Sequence, residues 1–420
     1  MELSDHLFRQ EAGRMVATLT RIFGVQNLAL AEDVVQDAFC RALEVWKLRG
    51  VPENPSAWLM AAAKNRALDV LRRERTARTF EPELSRFIQS EWTLAPAVAE
   101  LFAAHAIKDD LLRMMFSCCQ PRLSEEAQVT LILHILCGFS VAEVANAFVS
   151  SHAATEKRIT RAKKTVADSK KLFDVARPDD FSARLPAVQR ALYLLFNEGY
   201  HGASAESAIR VDLCHEAMRL TALLLEHPAG AVPTTYALAA LMCLHAARLP
   251  GRVDASGNLS SLLEQDRSQW NRGLIAEGIR LLDLSAVGTE LSEYHIEAGI
   301  ARVHALAKHA GETDWGSIVS LYDLLMAARP SPVIALNRAI ALGQKDGPQR
   351  GLAEIRSIAD LERLESYPFY HAALGDFELR SGNGAEASRH FQVAVGLARN
   401  PMERQFLKAR VAACESAATR

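Results

Sequence analysis

The sequence predicts an all-α protein in which two small helical domains, the second built on a helix-turn-helix, precede a long helical-repeat region. Apolar residues recur at helical spacing along nearly all of the 420 residues. No alternating stretch of β-branched residues marks a half-buried strand. Near the C-terminus an apolar pattern returns after 69 residues, twice the roughly 34-residue period of stacked helical hairpins. The chain is also longer than one hydrophobic core usually serves, so several domains are expected.

Hydrophobic residues make up 49% and charged residues 23% of the chain, whose formal net charge is -2. This is the range of a globular protein, and no run of about 18 apolar residues could cross a bilayer. The N-terminal MELSDHLFRQEAGRM has acids where a signal peptide needs bases and no apolar segment, so a cytoplasmic protein with no membrane partner is expected. Seven cysteines are scattered without a CxxC pair or zinc spacing. Adjacent Cys118 and Cys119 diverge by about 100° on a helix, so they read as buried reduced thiols rather than metal ligands.

Residues 1–78 form the first domain. In AEDVVQDAFCRALEVW, Val34, Phe39, Ala42 and Leu43 face inward, while Asp33, Gln36 and Asp37 point out. The next helix, WLMAAAKNRALDVLRRERTAR, sets core-spaced Trp58, Leu59, Ala62, Ala63, Leu68 and Leu71 among bases. Residues 64–78 carry six bases and two acids, and Asn65 and Trp58 supply the polar and planar groups that meet exposed nucleic-acid bases. Residues 79–108, with Pro82 and Pro96 among Glu81, Glu83, Glu91 and Glu100, read as a partly extended acidic linker.

The second domain spans residues 109–173. Gly138 ends one helix, Ser140 caps the next, and Glu143 completes a capping box before a short helix through Phe148. A tight link, Val149 to His152, leads into ATEKRITRAKKTV, with Thr155, Ile159, Ala162 and Val166 on one face. Residues 151–172 hold seven bases against two acids. A solvated basic face is the common fate of such a helix, but a capped helix and turn immediately before it favour DNA contact.

Together these stretches resemble bacterial RNA polymerase sigma factors of the extracytoplasmic-function group. Residues 31–43 are similar to the region that docks on core polymerase, which implies contacts by Asp33, Gln36 and Asp37. Residues 58–73 are similar to the segment that melts the -10 element, implying Lys64, Asn65, Asp69, Arg72 and Arg73. The helix-turn-helix at 138–166 would read the -35 element through Lys157, Arg158, Arg161 and Lys164. Ser150 and Ser151 stand where that family has an apolar residue and a proline, and Thr155 where it has an aliphatic one, which implies a looser seat for the basic helix.

After VARPDDFSARLP, taken as a boundary by its prolines and paired aspartates, residues 180–285 form a helical domain with two polar clusters, LFNEGYHG and LLEQDRSQWNRGLIAEG. Asn197, Glu198, Tyr200, Glu264, Asp266, Arg267 and Trp270 are either a regulatory ligand or docking cluster, or helix caps and ion pairs that fix the helices. Residues 286–420 carry tetratricopeptide-like offsets at Leu374, Gly375, Gly382, Ala387, Phe391 and Ala394, echoed at Ile318, Tyr322, Leu325 and Pro330, with a degenerate copy at Leu352, Arg356 and Ala359. The chain resembles, over nearly its full length, sigma factors with a long C-terminal helical extension.

No GxxxxGK[ST], HExxH or GxSxG occurs, so catalysis is not expected and no cofactor is needed. A DNA-binding activator with a repeat sensor is the rival reading, but it leaves residues 31–73 without a task. The expected partners are core RNA polymerase and promoter DNA, with the C-terminal extension either masking the promoter-binding half intramolecularly or contacting polymerase.

Overall fold

A computed structural model describes residues 5–77, 109–148, 150–168, 178–202, 209–254 and 258–418. The acidic linker 79–108 lies outside them. Among the described residues the fold is all-α, with a single isolated bridge between Val253 and Leu259. The chain divides into two compact units, residues 1–195 with 223–231, and residues 196–222 with 232–420.

The first unit opens with α1 (Asp5–Phe23), α2 (Leu28–Arg49) and α3 (Pro55–Ala77). Gly24 and Gly50 end α1 and α2 with φ of +85° and +80°, a conformation that costs a residue without a Cβ little. α2 packs on both α1 and α3, burying Leu28, Val34, Val35, Ala38 and Trp46 along one stripe.

Four helices follow: α4 (Asp110–Cys118), α5 (Glu125–Ile135), α6 (Val141–Ala147) and α7 (His152–Ala167). Each has an oxygen-bearing cap, Asp109, Ser124, Ser140 and Ser151, that accepts a first-turn N–H. The predicted capping box is present, with Ser140 N–H donating to Glu143 at 2.7 Å and Glu143 N–H to Ser140 Oγ at 3.2 Å. Cys118 and Cys119 are buried in α4 and at its end. Burial pushes the Cys118 thiol well up and that of Cys119 to about 12, so neither is a ready thiolate.

The stretch taken from the sequence as a boundary is helical from Pro178 onward. α8 (Pro178–Tyr200) runs through Pro186. The apolar face of the helix outweighs the lost hydrogen bond, since Phe181 stacks on Phe116 at 4.4 Å and on His227 at 4.5 Å.

The second unit contains α9 (Val211–Glu226), whose first part belongs to it, α10 (Pro233–Ala246), α11 (Arg272–Ser285) and α12 (Glu293–Leu306). Six further helices pack each on the next: α13 (Trp315–Ala328), α14 (Pro332–Asp346), α15 (Pro348–Arg356), α16 (Pro368–Arg380), α17 (Gly384–Leu397) and α18 (Pro401–Ala418). Such stacking buries faces that no single hairpin could cover. A Cβ at Gly343 or Gly351 would come within 2.2 or 2.4 Å of the Phe377 ring, so α14 and α15 form the socket for this α16 side chain.

Candidate functional site

Asp33, Gln36 and Asp37 are all exposed on α2, opposite its buried stripe. Asp37 accepts a hydrogen bond from Arg66 Nε at 3.0 Å, which ties α2 to α3. Along α3, Asn65 and Asp69 are exposed and Lys64 is half-buried. Arg72 and Arg73 lie in the same helix, with side chains outside the described residues. Trp58 meets the buried Trp46 edge-on at 5.3 Å, so its ring is engaged in packing rather than held out for stacking on a base.

On α7, Lys157, Arg161 and Lys164 are exposed, while Thr155, Ile159, Ala162 and Val166 are buried. Arg158 differs from its neighbours. It pairs with Glu126 of α5 at 2.8 Å and lies 5.9 Å from the Phe148 ring centroid, so its charge is spent within the unit. Lys163, not singled out by the sequence, pairs with Glu32 of α2 at 2.7 Å.

The seat of α7 is not loose. Thr155 is fully buried, its hydroxyl bonded to Ser150 Oγ at 2.8 Å and donating to the Ser151 carbonyl at 3.1 Å. A hydrogen-bonded turn thus replaces an apolar one. Thr155→Val is expected to cost about 1–3 kcal/mol by orphaning the Ser150 hydroxyl. Adding Ser150→Ala should recover part of that loss in thermal unfolding; strict additivity would contradict the pairing.

Within the first unit, α1–α3 and α4–α7 are packed together. Arg21 pairs with Asp110 at 3.1 Å, and Thr18 donates to the same carboxylate at 3.4 Å. A Cβ on Gly13 would lie 1.9 Å from the Leu136 carbonyl oxygen, so only glycine permits this approach.

In the second unit the predicted polar cluster separates. Asp266 is exposed and caps the short turn at Arg267–Gln269, and exposed Glu264 accepts from Ser261 and pairs with Arg410 at 2.5 Å. Glu198 is buried and paired with Arg210 at 2.5 Å, while Asn197 is half-buried. Tyr200, Arg267 and Trp270 are buried and converge on Arg248 and Arg252, which the sequence reading missed.

His304, 6% exposed, lies near this cluster; burial, then Arg248 and Arg267, push its pKa down to about 3. Its folded pKa is below the unfolded value of about 6.5, so its contribution is complete above that pH and is lost as pH falls toward about 3. The slope is about 1.4 kcal/mol per pH unit. The melting temperature of wild type should therefore fall more steeply below pH ~6.5 than that of His304→Gln; parallel curves would contradict it.

Among the described residues, no group of three or more His, Cys, Asp or Glu could hold a metal ion, and no helix is long and apolar enough to cross a membrane.

Residues 7–77 match sigma-70 region 2, which supports a factor of the sigma-70 family with a role in RNA polymerase binding and promoter recognition. Residues 184–286 match a family of unknown function (DUF6596). The uncharacterized protein R00370 of Rhizobium meliloti (strain 1021) is 38% identical over 396 residues, covering 94% of this chain and 91% of that one. The chain belongs to the same family as that protein. No solved structure matches it.

Proposed function

We propose that the protein is a cytoplasmic sigma factor of the extracytoplasmic-function group, with a C-terminal tetratricopeptide-like extension that regulates it. The match of residues 7–77 to sigma-70 region 2 carries this reading. Asp33, Gln36 and Asp37 dock on core polymerase, and Lys64, Asn65, Asp69, Arg72 and Arg73 engage the -10 element. α6 and α7 act as a helix-turn-helix on the -35 element. Lys157, Arg161 and Lys164 are exposed and meet the groove or its phosphates. Arg158, held by Glu126, positions α7 rather than meeting DNA.

A factor that contacts two separate promoter elements must part α1–α3 from α4–α7, and the Lys163–Glu32 pair is one tie that has to break. The extension acts on that opening, either by masking the promoter-binding half or by contacting polymerase. The test is binding of the purified full chain to core polymerase, with Asp33→Lys and Asp37→Lys as variants. Wild type should bind and the charge reversals should bind at least about tenfold more weakly. A chain that binds duplex DNA but not core polymerase would instead be a helix-turn-helix activator with a repeat sensor.

A further inference from the structure

The second unit buries arginines whose charge no side chain answers. Arg248, Arg252 and Arg267 are 6%, 8% and 3% exposed, and none has an ion pair among the described residues; the buried Glu198 is paired with Arg210. An uncompensated buried charge is costly, so each calls for an explanation. Arg267 has one. It donates to the His304 and Ala307 carbonyls at 2.9 and 3.1 Å and to Thr313 Oγ1 at 3.0 Å, fastening its turn to the end of α12.

Arg248 and Arg252 have no such task. The Arg248 guanidinium lies 5.9 Å from the Tyr200 ring centroid and 5.4 Å from that of Trp270, and its side chain makes no hydrogen bond. Arg252 lies 4.2 Å from the Tyr200 centroid and makes one long contact, 3.4 Å to His201 Nδ1. Ring contacts hold a guanidinium without using its N–H groups. Around the same two rings, Tyr200 Oη, Trp270 Nε1, His245 Nδ1 and the Nε atoms of both arginines are buried without partners.

All five of these atoms are donors or can donate, and none is answered by an acceptor. Glycine at 251 keeps the approach to Trp270 Nε1 open, since even a Cβ there would lie 3.1 Å from that nitrogen. His201 stands beside Arg252 at the edge of the cluster, with Nδ1 3.4 Å from its guanidinium. Positive charge, orphaned donors and aromatic walls match an acceptor-only ligand that carries negative charge.

We propose that Arg248 and Arg252, with Tyr200, Trp270 and His245, form a binding site for a small oxyanion, the phosphate or carboxylate group of a metabolite, in the C-terminal unit. Bound there, the anion supplies the missing counter-charge and links the stability of the unit to the metabolite's concentration. The site needs neither polymerase nor DNA, so its test stands apart from the promoter-binding reading.

The test is thermal unfolding and calorimetric titration of the full-length protein with inorganic phosphate, succinate and chloride at matched ionic strength. Phosphate or succinate should raise the melting temperature beyond chloride, and the stronger of the two identifies the group recognised. Arg248→Met and Arg252→Met should each weaken that binding about tenfold or more. Without oxyanion, Arg248→Met should melt no lower than wild type, because it removes an unpaired buried charge; should it fail to fold, Arg252→Met carries the comparison. A triple Lys157/Arg161/Lys164→Ala variant should keep the full response, which separates this site from the basic helix. Equal shifts with all three salts, or an oxyanion response that survives both arginine substitutions, would overturn the proposal and leave a hydrated structural cluster.

Discussion

Replacing Lys157, Arg161 and Lys164 together by alanine is expected to weaken binding of the holoenzyme to promoter duplex by about a hundredfold, from roughly 1 kcal/mol per lost contact. All three side chains are exposed on α7, and the buried face, Thr155, Ile159, Ala162 and Val166, is untouched. The fold should survive. The dependence of log affinity on log salt should become shallower by about 2.7 if each base neutralises one phosphate. Arg158→Ala should behave differently, because its partners are Glu126 and Phe148; the main loss there is in the stability of the first unit. An unchanged salt slope in the triple variant would remove α7 from the DNA interface.

Gly13→Ala is the second substitution with a large expected effect. Its Cβ would stand 1.9 Å from the Leu136 oxygen, and backbone cannot swing aside as a long side chain can. Overpacking of this kind costs about 1–3 kcal/mol or more, here by wedging α1 away from the end of α5. The melting temperature should fall, and hydrogen exchange should rise in α1 and α4 where Arg21 and Asp110 pair. Transcription with saturating core polymerase should persist or increase if promoter engagement proceeds by the proposed separation of α1–α3 from α4–α7. A variant that melts lower and also loses transcription at saturating core would show that the packed arrangement is itself the active one.

Local chemistry made much of this legible in the sequence. Ser140 and Glu143 announce a helix start whatever surrounds them, and the spacing of Thr155, Ile159, Ala162 and Val166 identifies the buried side of α7. Asp33, Gln36 and Asp37 follow from the same periodicity in α2, whereas Leu43, expected on the inward face, is exposed. What depends on distant partners was not legible. Pro186 reads as a breaker, yet α8 continues because Phe181 finds Phe116 far away in the chain. Arg158 looks like its basic neighbours until Glu126 is seen beside it. Arg248 and Arg252 follow the apolar helix α10, where basic residues ordinarily meet the helix C-terminus in solvent; only Tyr200 and Trp270, brought in from two other segments, show that they are enclosed. The signal available in advance was the number of bases, His245, Arg248 and Arg252, in so apolar a stretch.

On the proposed function, this chain directs initiation by RNA polymerase. Run-off transcription from the promoter of its own gene, with purified core polymerase and the full-length protein, tests it most directly. A transcript of defined start that appears only when the protein is added, and that diminishes with the Lys157/Arg161/Lys164 alanine variant, is the predicted result. Duplex binding without core binding and without a transcript would contradict it.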